Sequence, residues 1–517
     1  MKKLLFAALL TASVMPAVAQ ETYENAKIVT EDLNGTARFV GMGGAMDALG
    51  ADISTMSSNP AGIGLFRRSS ISGSFGAVIQ SDAPSMPGAD KFNMSFDQLG
   101  FVVSTNISGK KQAYLNIGFN YHKSRNFDFI LSAADNLYGA SQNKLTYAKA
   151  KNGLLYPANT YGNPDFSNPY ITCNQLDDIY ANNLNYMESE NAWFYDEASD
   201  YQLQRSHTGY IGEYDFNISG NINNRVYLGL TVGYHDVHYQ HYGEYRENLN
   251  VFGNMLVMDD RTIKGGGADF KAGVIFRPLE YSPFRIGLSV STPTFYKLTS
   301  SNETAVTDGY VTNSCRESYD FKLYTPWKFG LSLGHTIGTQ VALGASVEYA
   351  DYGSVDTRYI SGSYYDYWLD SFTDKTKPDN AMNRHTDETL KGVATVRVGA
   401  EFKPTDELSL RVGYNYVSPM YEELGFKDGS LDSEGSYYSS ATDFTNWKGT
   451  NRITAGVGLN LGQFNLSAAY QLSTQKGEFM PFMNYIDDVD PEDSNLVDVV
   501  NVKNTRHQLL LTLGYTF

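Results

Sequence analysis

A short stretch around Ser332 has the spacing of a nucleophile motif. Residues 330–334, GLSLG, match the pattern G-x-S-x-G, and His335 follows directly. That chemistry requires a sharp strand-to-helix turn that exposes the serine, together with an acid and a histidine that act on it. Here the serine stands within an alternation of apolar and small residues that is typical of a strand interior. The sequence therefore predicts a structural serine and a protein that is not an enzyme.

Histidines near one predicted strand are of the type that binds a metal ion or haem iron. His235, His238 and His241 recur at every third position. Successive side chains of a strand point to opposite faces, so this spacing does not keep the three on one face. The acidic run 487–493 could bridge through divalent cations to lipopolysaccharide, although such a run is more often a solvated loop tip. We expect no catalytic residues, no resident metal and no cofactor.

Composition narrows the class of protein that positions these residues. Of the 517 residues, 19% are charged and 14% are aromatic, and the formal net charge is −17. The chain is too aromatic for a disordered protein and too acidic for a nucleic-acid binder, which needs basic residues to neutralise phosphates. Two cysteines, Cys173 and Cys315, exclude a disulfide framework. A single bridge between them and two free loop thiols both stay open.

The first nineteen residues, 1–19, have the features of a secretory signal peptide. Two lysines precede an apolar run, and small residues form a cleavage site, so we expect cleavage between Ala19 and Gln20. No cysteine follows the site, which argues against a lipoprotein anchor. Beyond it there is no run of 18 apolar residues that would predict a transmembrane helix. A chain exported in this way is periplasmic, secreted or an outer-membrane barrel.

The last segment, 506–517, indicates which of these it is. Apolar residues occupy every second position from Leu509 to Phe517, and most of the residues between them are smaller or more polar. Lipid-facing apolar residues that alternate with a polar lumen are typical of transmembrane β-barrels. A chain that ends in Phe517 after such a strand resembles the signal that the bacterial barrel-assembly machinery recognises. An edge strand of a soluble sandwich is the alternative for this segment taken alone.

Thirteen further segments alternate in the same way. They are about 69–80, 97–106, 113–125, 210–219, 226–240, 263–277, 284–298, 319–334, 341–349, 394–402, 408–416, 452–460 and 464–473. Connections after even-numbered segments are short, and those after odd-numbered segments are long, the longest at 126–208. Bacterial barrels have an even number of strands, short periplasmic turns and long external loops. The sequence thus predicts an all-β fold, a transmembrane antiparallel β-barrel of about 14 strands over 69–517, in the outer membrane of a Gram-negative bacterium.

Residues 20–68 precede the first predicted strand and are rich in glycine. They include 35–46, GTARFVGMGGAM, and the triplet Asn59-Pro60-Ala61. A barrel of this width has a lumen that is either filled or open to water. This segment, the triplet before the first strand, the export signal, the strand count and the terminal Phe together resemble the FadL/TodX/OmpP1 family of outer-membrane transporters for hydrophobic molecules. A soluble periplasmic arm is the alternative for this segment.

The resemblance implies a function and a set of residues. Residues 20–68 would be an N-terminal hatch that plugs the lumen. Long-chain fatty acids or similar hydrophobic molecules would be captured by external loops, held beside the hatch, and released passively into the bilayer at a kinked third strand. In the family the loops that grip ligand follow strands 5 and 7, whereas the longest loop here follows strand 3. The candidates are Asn59, Pro60 and Ala61 for the hatch motif, Phe39, Val40, Met42 and Met46 for the pocket, Trp193, Phe194 and Tyr195 for capture, and Gly118 for the kink.

Two other functions fit the same sequence. Large tyrosine-rich external loops suit a surface adhesion protein that uses the barrel as its anchor. Removing 126–208 would then abolish partner binding and spare uptake. Histidines and tyrosines in the loops suit a haem-binding receptor, which predicts haem spectral shifts that vanish when those residues are replaced.

Overall fold

Alternating side chains close the chain into one antiparallel barrel. The structure is a computed structural model that describes residues 22–86, 89–107, 113–151, 185–187, 192–251, 253–309, 312–367, 370–428 and 441–517. Each of its fourteen strands pairs with the next, and the last pairs with the first from Ser70↔Thr516 to Gln80↔Arg506. Closure leaves no free sheet edge around the ring. The predicted fourteen-stranded barrel is confirmed.

Several strands are interrupted by a bulge or a short irregular stretch, and β10 is interrupted by a ten-residue helix. The strands are β1 (Ser70–Gln80), β2 (Phe92–Asn106), β3 (Tyr114–Asn126, continued as Phe129–Asn136), β4 (Ala198–Ile222), β5 (Val226–Leu249), β6 (Gly253–Phe276), β7 (Arg285–Ser291 and Phe295–Thr307), β8 (Thr312–Tyr324 and Lys328–Ile337), β9 (Val341–Asp351 and Asp356–Asp366), β10 (Ser371–Pro378 and Gly392–Phe402), β11 (Leu408–Val417), β12 (Phe444–Leu461), β13 (Phe464–Met480) and β14 (Val500–Thr516). A small separate hairpin joins Asn185–Met187 to Ala192–Phe194.

Strands β2, β4, β5 and β6 extend beyond their predicted ends. β4 begins at Ala198, so 198–208, as well as 129–136 of β3, are strand where the sequence predicts loop. In the extensions of β3 and β4, 129–136 and 198–208, most outward-facing residues are polar or small, so the apolar alternation that marks a membrane strand is lost. The predicted external loop 126–208 is therefore too long at both ends. Part of the true connection, 152–184 and 188–191, lies outside the described residues.

The wall follows the predicted alternation closely. On β14, Leu509, Leu511 and Leu513 are half exposed on the outer face, whereas Thr512 is buried on the inner face. Leu510 also faces inward, where it packs against Ala37 and Val40 of the N-terminal segment. Leu510 is therefore an apolar residue of a mostly polar lumen, and apolar side chains of the N-terminal segment cover it.

The N-terminal segment 22–69 fills the lumen. It contains α1 (Thr22–Ile28), α2 (Ala37–Gly41), α3 (Thr55–Ser58) and a 3₁₀ turn, Pro60–Leu65, and most of its side chains are buried. We call this segment the hatch. The described part of the chain has two further helices: α4 (Gln142–Lys151) lies in the connection between β3 and β4, and α5 (Asn380–Thr389) lies between the two parts of β10. No helix of the described residues is long and apolar enough to cross a membrane.

Glycines on the wall allow the hatch backbone to touch it. A Cβ atom on Gly413 of β11 would come within 3.0 Å of the backbone of Gly43, and one on Gly273 of β6 within 3.0 Å of the Asn59 side chain. Such distances are below any normal Cβ contact, so a side chain there would displace the hatch. One glycine on each strand from β5 to β11 approaches a hatch atom in this way: Gly229, Gly273, Gly287, Gly334, Gly344, Gly399 and Gly413.

Candidate functional site

A cavity of about 270 Å³ lies between the hatch and the external ends of the strands. Tyr23, Glu24 and Lys27 of α1, Asp32 after it, and Phe39 of α2 line it from the hatch. Its outer lining comes from the upper part of the wall and from external connections. The cavity is therefore a joint product of the plug and the barrel.

Aromatic rings form the apolar part of this cavity. Tyr23 stacks on Tyr421 with ring centroids 5.2 Å apart and also contacts Phe444 at 5.3 Å. Phe129 meets Trp447 edge to face at 5.6 Å. Large apolar surfaces of this kind take up an alkyl chain or an aromatic ring, because burial of apolar area stabilises the complex by about 25 cal/mol per Å².

Charged side chains form the polar part. Arg205 of β4 binds Asp443 through two hydrogen bonds of 2.9 and 2.7 Å. Lys27 and Glu24 of the hatch form an ion pair at 2.7 Å. In each pair the opposite charge offsets part of the cost of burying the ion. A cavity with one aromatic side and one charged side suits an amphiphilic molecule.

Asp32 of the hatch is surrounded by three arginines of the wall, which we call the arginine trio. Its carboxylate lies 3.1 Å from Arg125 of β3, 3.5 Å from Arg452 of β12 and 3.7 Å from Arg506 of β14. Burial raises the pKa of Asp32, but the three guanidinium groups outweigh that effect and hold the pKa at about 2. Asp32 is therefore ionised at neutral pH.

The wall has a break beside Asp32. Pairing between β2 and β3 ends at Gln98↔His122, and above this point β2 continues to Phe92 paired with β1 alone. β3 bulges between Lys123 and Arg125, as its register with β4 shows. Phe92 and Met94 belong to the part of β2 that does not pair with β3. Both are exposed on the outer face, as lipid-facing residues are. The break is therefore flanked by apolar side chains of the outer face.

Hatch residues 32–34 close this break from inside. The N–H of Asp32 donates to the Ser124 carbonyl at 2.7 Å. The Asn34 side-chain amide donates to the Lys123 carbonyl at 3.0 Å and to the Asp97 carboxylate at 2.9 Å. A small cavity of about 20 Å³ shares 32–34 with the large one and adds Asp97 and Lys123 to its lining. The hatch thus separates the main cavity from the break.

Buried ion pairs hold the rest of the hatch. Glu401 of β10 accepts from Arg38 of α2 at 3.0 Å and from Arg411 of β11 at 2.7 Å. Arg397 lies 3.7 Å from Asp47 of the hatch. Wall and hatch side chains of opposite sign thus hold the hatch through charge-assisted hydrogen bonds and ion pairs.

The motif residues Asn59, Pro60 and Ala61 lie at the periplasmic end of the hatch. The Asn59 side-chain oxygen accepts the N–H of Ala61 at 3.2 Å and caps the 3₁₀ turn, and Pro60 occupies its first position. Proline fits there because its fixed φ suits the turn and it lacks an N–H to leave unpaired. All three are buried against the glycine-lined wall, and none of them lines the cavity.

The predicted pocket residues divide into two groups. Phe39 lines the cavity, but Val40, Met42 and Met46 are not among its lining residues. Met42 and Met46 are fully buried in a cluster with Leu33, and Val40 packs on the wall. These three positions belong to the tightly packed part of the hatch and do not line the cavity.

Two of the predicted capture residues, Phe194 and Tyr195, do not line the cavity. Tyr195 packs on Tyr147 of α4, with ring centroids 4.7 Å apart, and its hydroxyl donates to Asp493 at 3.3 Å. Phe194 is 38% exposed at the end of the small hairpin. Trp193 precedes it in that hairpin, and its side chain lies outside the described part of the chain. The structure therefore places Phe194 and Tyr195 in the outer connections and outside the binding cavity.

Gly118 lies within regular pairing, opposite Val102 of β2 and Asn217 of β4. A Cβ atom there would collide with Met56 of the hatch, so the glycine makes room for the plug. The irregular part of β3 is instead the bulge at Lys123 and Arg125. A bulge has no characteristic residue composition, and glycine occurs throughout these strands. The irregular part of β3 therefore could not be located from the sequence.

The three histidines of β5 do not form one site. His235 and His241 are buried and bind different carboxylates, Asp269 at 3.1 Å and Asp259 at 2.6 Å, whereas His238 is partly exposed on the other face. The expected split across two faces is confirmed. Among the described residues, His122, Glu213 and Asp215 present donor atoms within 4.8 Å of one another and could hold a metal ion. Lys271, 2.9 Å from Asp215, already places a cation there.

Other sequence expectations concern residues beyond this site. Ser332 lies inside β8, where it pairs with Gly287 and Ser346, so the G-x-S-x-G segment has no strand-to-helix turn. Cys173 and the signal peptide 1–19 lie outside the described residues, as does the side chain of Cys315. The N–H of Phe517 donates to the Ser69 carbonyl at 2.9 Å, next to the start of β1.

No protein-family model and no curated protein matches the sequence. Among solved structures, a Pseudomonas aeruginosa FadL homologue matches with a TM-score of 0.51 and 12% identity, over 94% of this chain and 99% of that one. The chain has the FadL fold. The Ralstonia pickettii toluene transporter TbuX and the P. putida toluene transporter TodX each match with a TM-score of 0.49 and 11% identity, over 94% of this chain and 99% of theirs.

The arginine trio is absent from the sequence-based site. Arg452 and Arg506 do stand at lumen-facing positions of predicted strands, each as an isolated charge. Their common partner Asp32 is 420 or more positions away along the chain, so no local pattern joins them. The signal that the sequence does contain is a single arginine at a lumen-facing position of each of these two predicted strands.

Proposed function

We propose that this protein carries hydrophobic molecules across the outer membrane, that long-chain fatty acids are its substrates, and that they leave sideways into the bilayer between β2 and β3. The observation that carries the proposal is the juxtaposition of a half-aromatic cavity and a break in the wall, with hatch residues 32–34 between them. The FadL fold supports it. External capture, outer-membrane lipid contact and recognition of Phe517 by the assembly machinery belong to the same proposal.

The energetics need no external source. A fatty acyl chain gains about 0.8 kcal/mol for each CH₂ group that leaves water for an apolar pocket. The hydrocarbon core of the bilayer offers the same gain, so a ligand can pass from cavity to membrane at little net cost. What the protein supplies is a path past the polar outer surface.

Uptake of radiolabelled oleate tests the proposal. Cells that lack the protein should gain protein-dependent uptake when it is restored. Uptake that does not change, despite a folded barrel in the outer membrane, would contradict fatty-acid transport. It would favour the adhesion function, which the removal of external residues then tests.

A reversible cross-link tests the exit. Asp97→Cys and Lys123→Cys form the pair that would continue the β2–β3 register past Gln98↔His122, in a Cys173→Ser, Cys315→Ser background. The oxidised pair should block oleate uptake, and reduction should restore it. The control pair, Phe101→Cys and Phe119→Cys, lies where the strands are already joined and should have no effect. Undiminished uptake through the closed break would place the exit elsewhere.

A further inference from the structure

One histidine and two carboxylates meet on the inner face of β3 and β4, and we call them the β3–β4 cluster. His122 of β3 pairs directly with Glu213 of β4, and Asp215 stands two residues further along β4 on the same face. All three side chains are buried, and their donor atoms lie within 4.8 Å of one another. Imidazole nitrogen and carboxylate oxygen are ligands that divalent transition metals such as Zn²⁺ prefer.

The spacing between His122 and Glu213 suits two ligands of one ion. His122 Nε2 lies 3.6 Å from Glu213 Oε2, which is longer than a hydrogen bond. Two atoms that bind the same ion at about 2.1 Å are about 3.0–4.2 Å apart, depending on the angle between them. By contrast, the buried His235 and His241 each have a carboxylate oxygen at hydrogen-bond length, 3.1 and 2.6 Å away. His122 thus has the position of a metal ligand.

Asp215 presents a buried oxygen atom to the same space. Its Oδ2 atom lies 4.0 Å from the His122 ring and accepts no hydrogen bond from the described part of the chain. A buried carboxylate oxygen without a donor is destabilising unless a cation compensates it. Coordination of a metal ion would supply that compensation.

Lys271 of β6 balances only part of the negative charge. Its Nζ atom binds Glu213 Oε1 and lies 2.9 Å from Asp215 Oδ1 and 3.4 Å from Asp269 Oδ1. The lysine therefore occupies one oxygen of each carboxylate in the cluster and leaves Glu213 Oε2 and Asp215 Oδ2. With neutral histidines, three carboxylates and one ammonium group carry two net negative charges, which one divalent ion balances.

The cluster can be reached from the main cavity. His122 and Glu213 are among the residues that line this cavity, so an ion can approach them from the external side. Three protein ligands and one water molecule form a common tetrahedral arrangement around zinc where a site borders a cavity.

We propose that His122, Glu213 and Asp215 bind one divalent transition-metal ion, with Zn²⁺ as the representative, on the inner wall of the barrel. The ion would join β3 to β4 and differs from the sequence-based expectation of no resident metal. The inference goes beyond the proposed function, because no step of hydrophobic transport requires a metal.

Calorimetric titration of the full-length protein with Zn²⁺ tests the site. The protein is purified without a polyhistidine tag, treated with a chelator, and carries Cys173→Ser and Cys315→Ser, so that neither a tag nor a thiol binds the ion. We expect one Zn²⁺ per barrel. His122→Gln and, independently, Asp215→Asn should weaken Zn²⁺ binding by about 100-fold or more, since even a residue that only supports a metal ligand contributes about 10–100-fold.

The matched control is His238→Gln. His238 of β5 is partly exposed and lies 2.9 Å from Asp236, so it is also a histidine beside a carboxylate but outside the cluster. This variant should bind Zn²⁺ as tightly as the protein with an intact His238.

The visible spectrum of bound Co²⁺ gives a second readout. Tetrahedral Co²⁺ absorbs visible light far more strongly than hydrated, octahedral Co²⁺, so coordination geometry can be read from the spectrum. The strong absorption should appear when the protein is loaded and should be lost in His122→Gln. Each variant should keep the heat-dependent gel shift of a folded barrel, so that a lost spectrum reports the lost ligand and not unfolding.

The outcomes separate the metal site from transport. A folded barrel that binds no Zn²⁺ even at millimolar concentration would overturn the site, and so would binding that survives both His122→Gln and Asp215→Asn. Binding that is lost in His238→Gln would place the ion elsewhere and overturn it as well. Oleate uptake by cells does not enter any of these measurements, so the metal site and the proposed function stand or fall independently.

Discussion

The two ends of the lumen are filled in different ways. At the periplasmic end the hatch backbone touches the wall, and glycines on seven consecutive strands make that approach sterically allowed. At the external end aromatic and charged side chains of both parts meet around a cavity of about 270 Å³. The close contacts with the wall and the cavity are therefore separate parts of one plug. Close contact between the hatch and the wall requires glycines, which have no side chain. A cavity requires side chains that leave space between them.

This comparison predicts that substitutions at the periplasmic end make the barrel leaky, whereas substitutions at the external end alter ligand binding. The largest effect should follow Glu401→Gln, which leaves the buried Arg411 and the partly exposed Arg38 without their shared anion. Breaking a buried ion pair costs about 3–5 kcal/mol of unfolding free energy. The temperature at which the barrel unfolds on a gel should fall, and cells should admit a large polar antibiotic.

The matched control for Glu401 is Glu478→Gln. Glu478 pairs with Lys448 at 2.8 Å, but both side chains are exposed. Such a pair contributes about 0–1 kcal/mol, so neither the unfolding temperature nor the antibiotic barrier should change measurably. Equal tolerance of both substitutions would show that the hatch does not depend on its ion pairs.

The next effect in size should come from the glycine contacts. Gly413→Ala places a Cβ atom against the Gly43 backbone, and overpacking of this kind costs about 1–3 kcal/mol. The variant should leak the same antibiotic. Gly514→Ala also faces inward, but its nearest neighbours lie 3.6 Å or more away, so it should resemble the wild type. If Gly413→Ala also seals normally, backbone contact is not the barrier.

A smaller effect, of a different kind, is expected at the external end. Trp447 lines the cavity, and Trp447→Ala should weaken oleate binding by about five-fold because the chain loses an aromatic surface, which corresponds to about 1 kcal/mol. The antibiotic barrier should stay intact. Trp327→Ala, at an exposed position outside the cavity, serves as the control in the same binding assay. Leakage through Trp447→Ala would mean that the two regions are not separate.

The candidate site was predictable to the extent that its signals are local. Asn59-Pro60-Ala61 marked the end of the hatch, because capping of a turn depends on adjacent residues. Phe39 lines the cavity, whereas Met42 and Met46, in the same glycine-rich stretch, do not. Their position depends on which face of the hatch meets the glycines of the wall, and that is settled by strands hundreds of residues away.

The sequence by itself determined the wall: strand number, the two faces of each strand and the alternation of short and long connections. These follow from the two-residue period of a strand between lipid and lumen, which is a local property. Tertiary structure alone decided the cavity, the break between β2 and β3, and the meeting of Asp32 with Arg125, Arg452 and Arg506. Those features exist because closing the barrel brings its first and last strands around one short hatch, and no neighbouring residues encode that proximity.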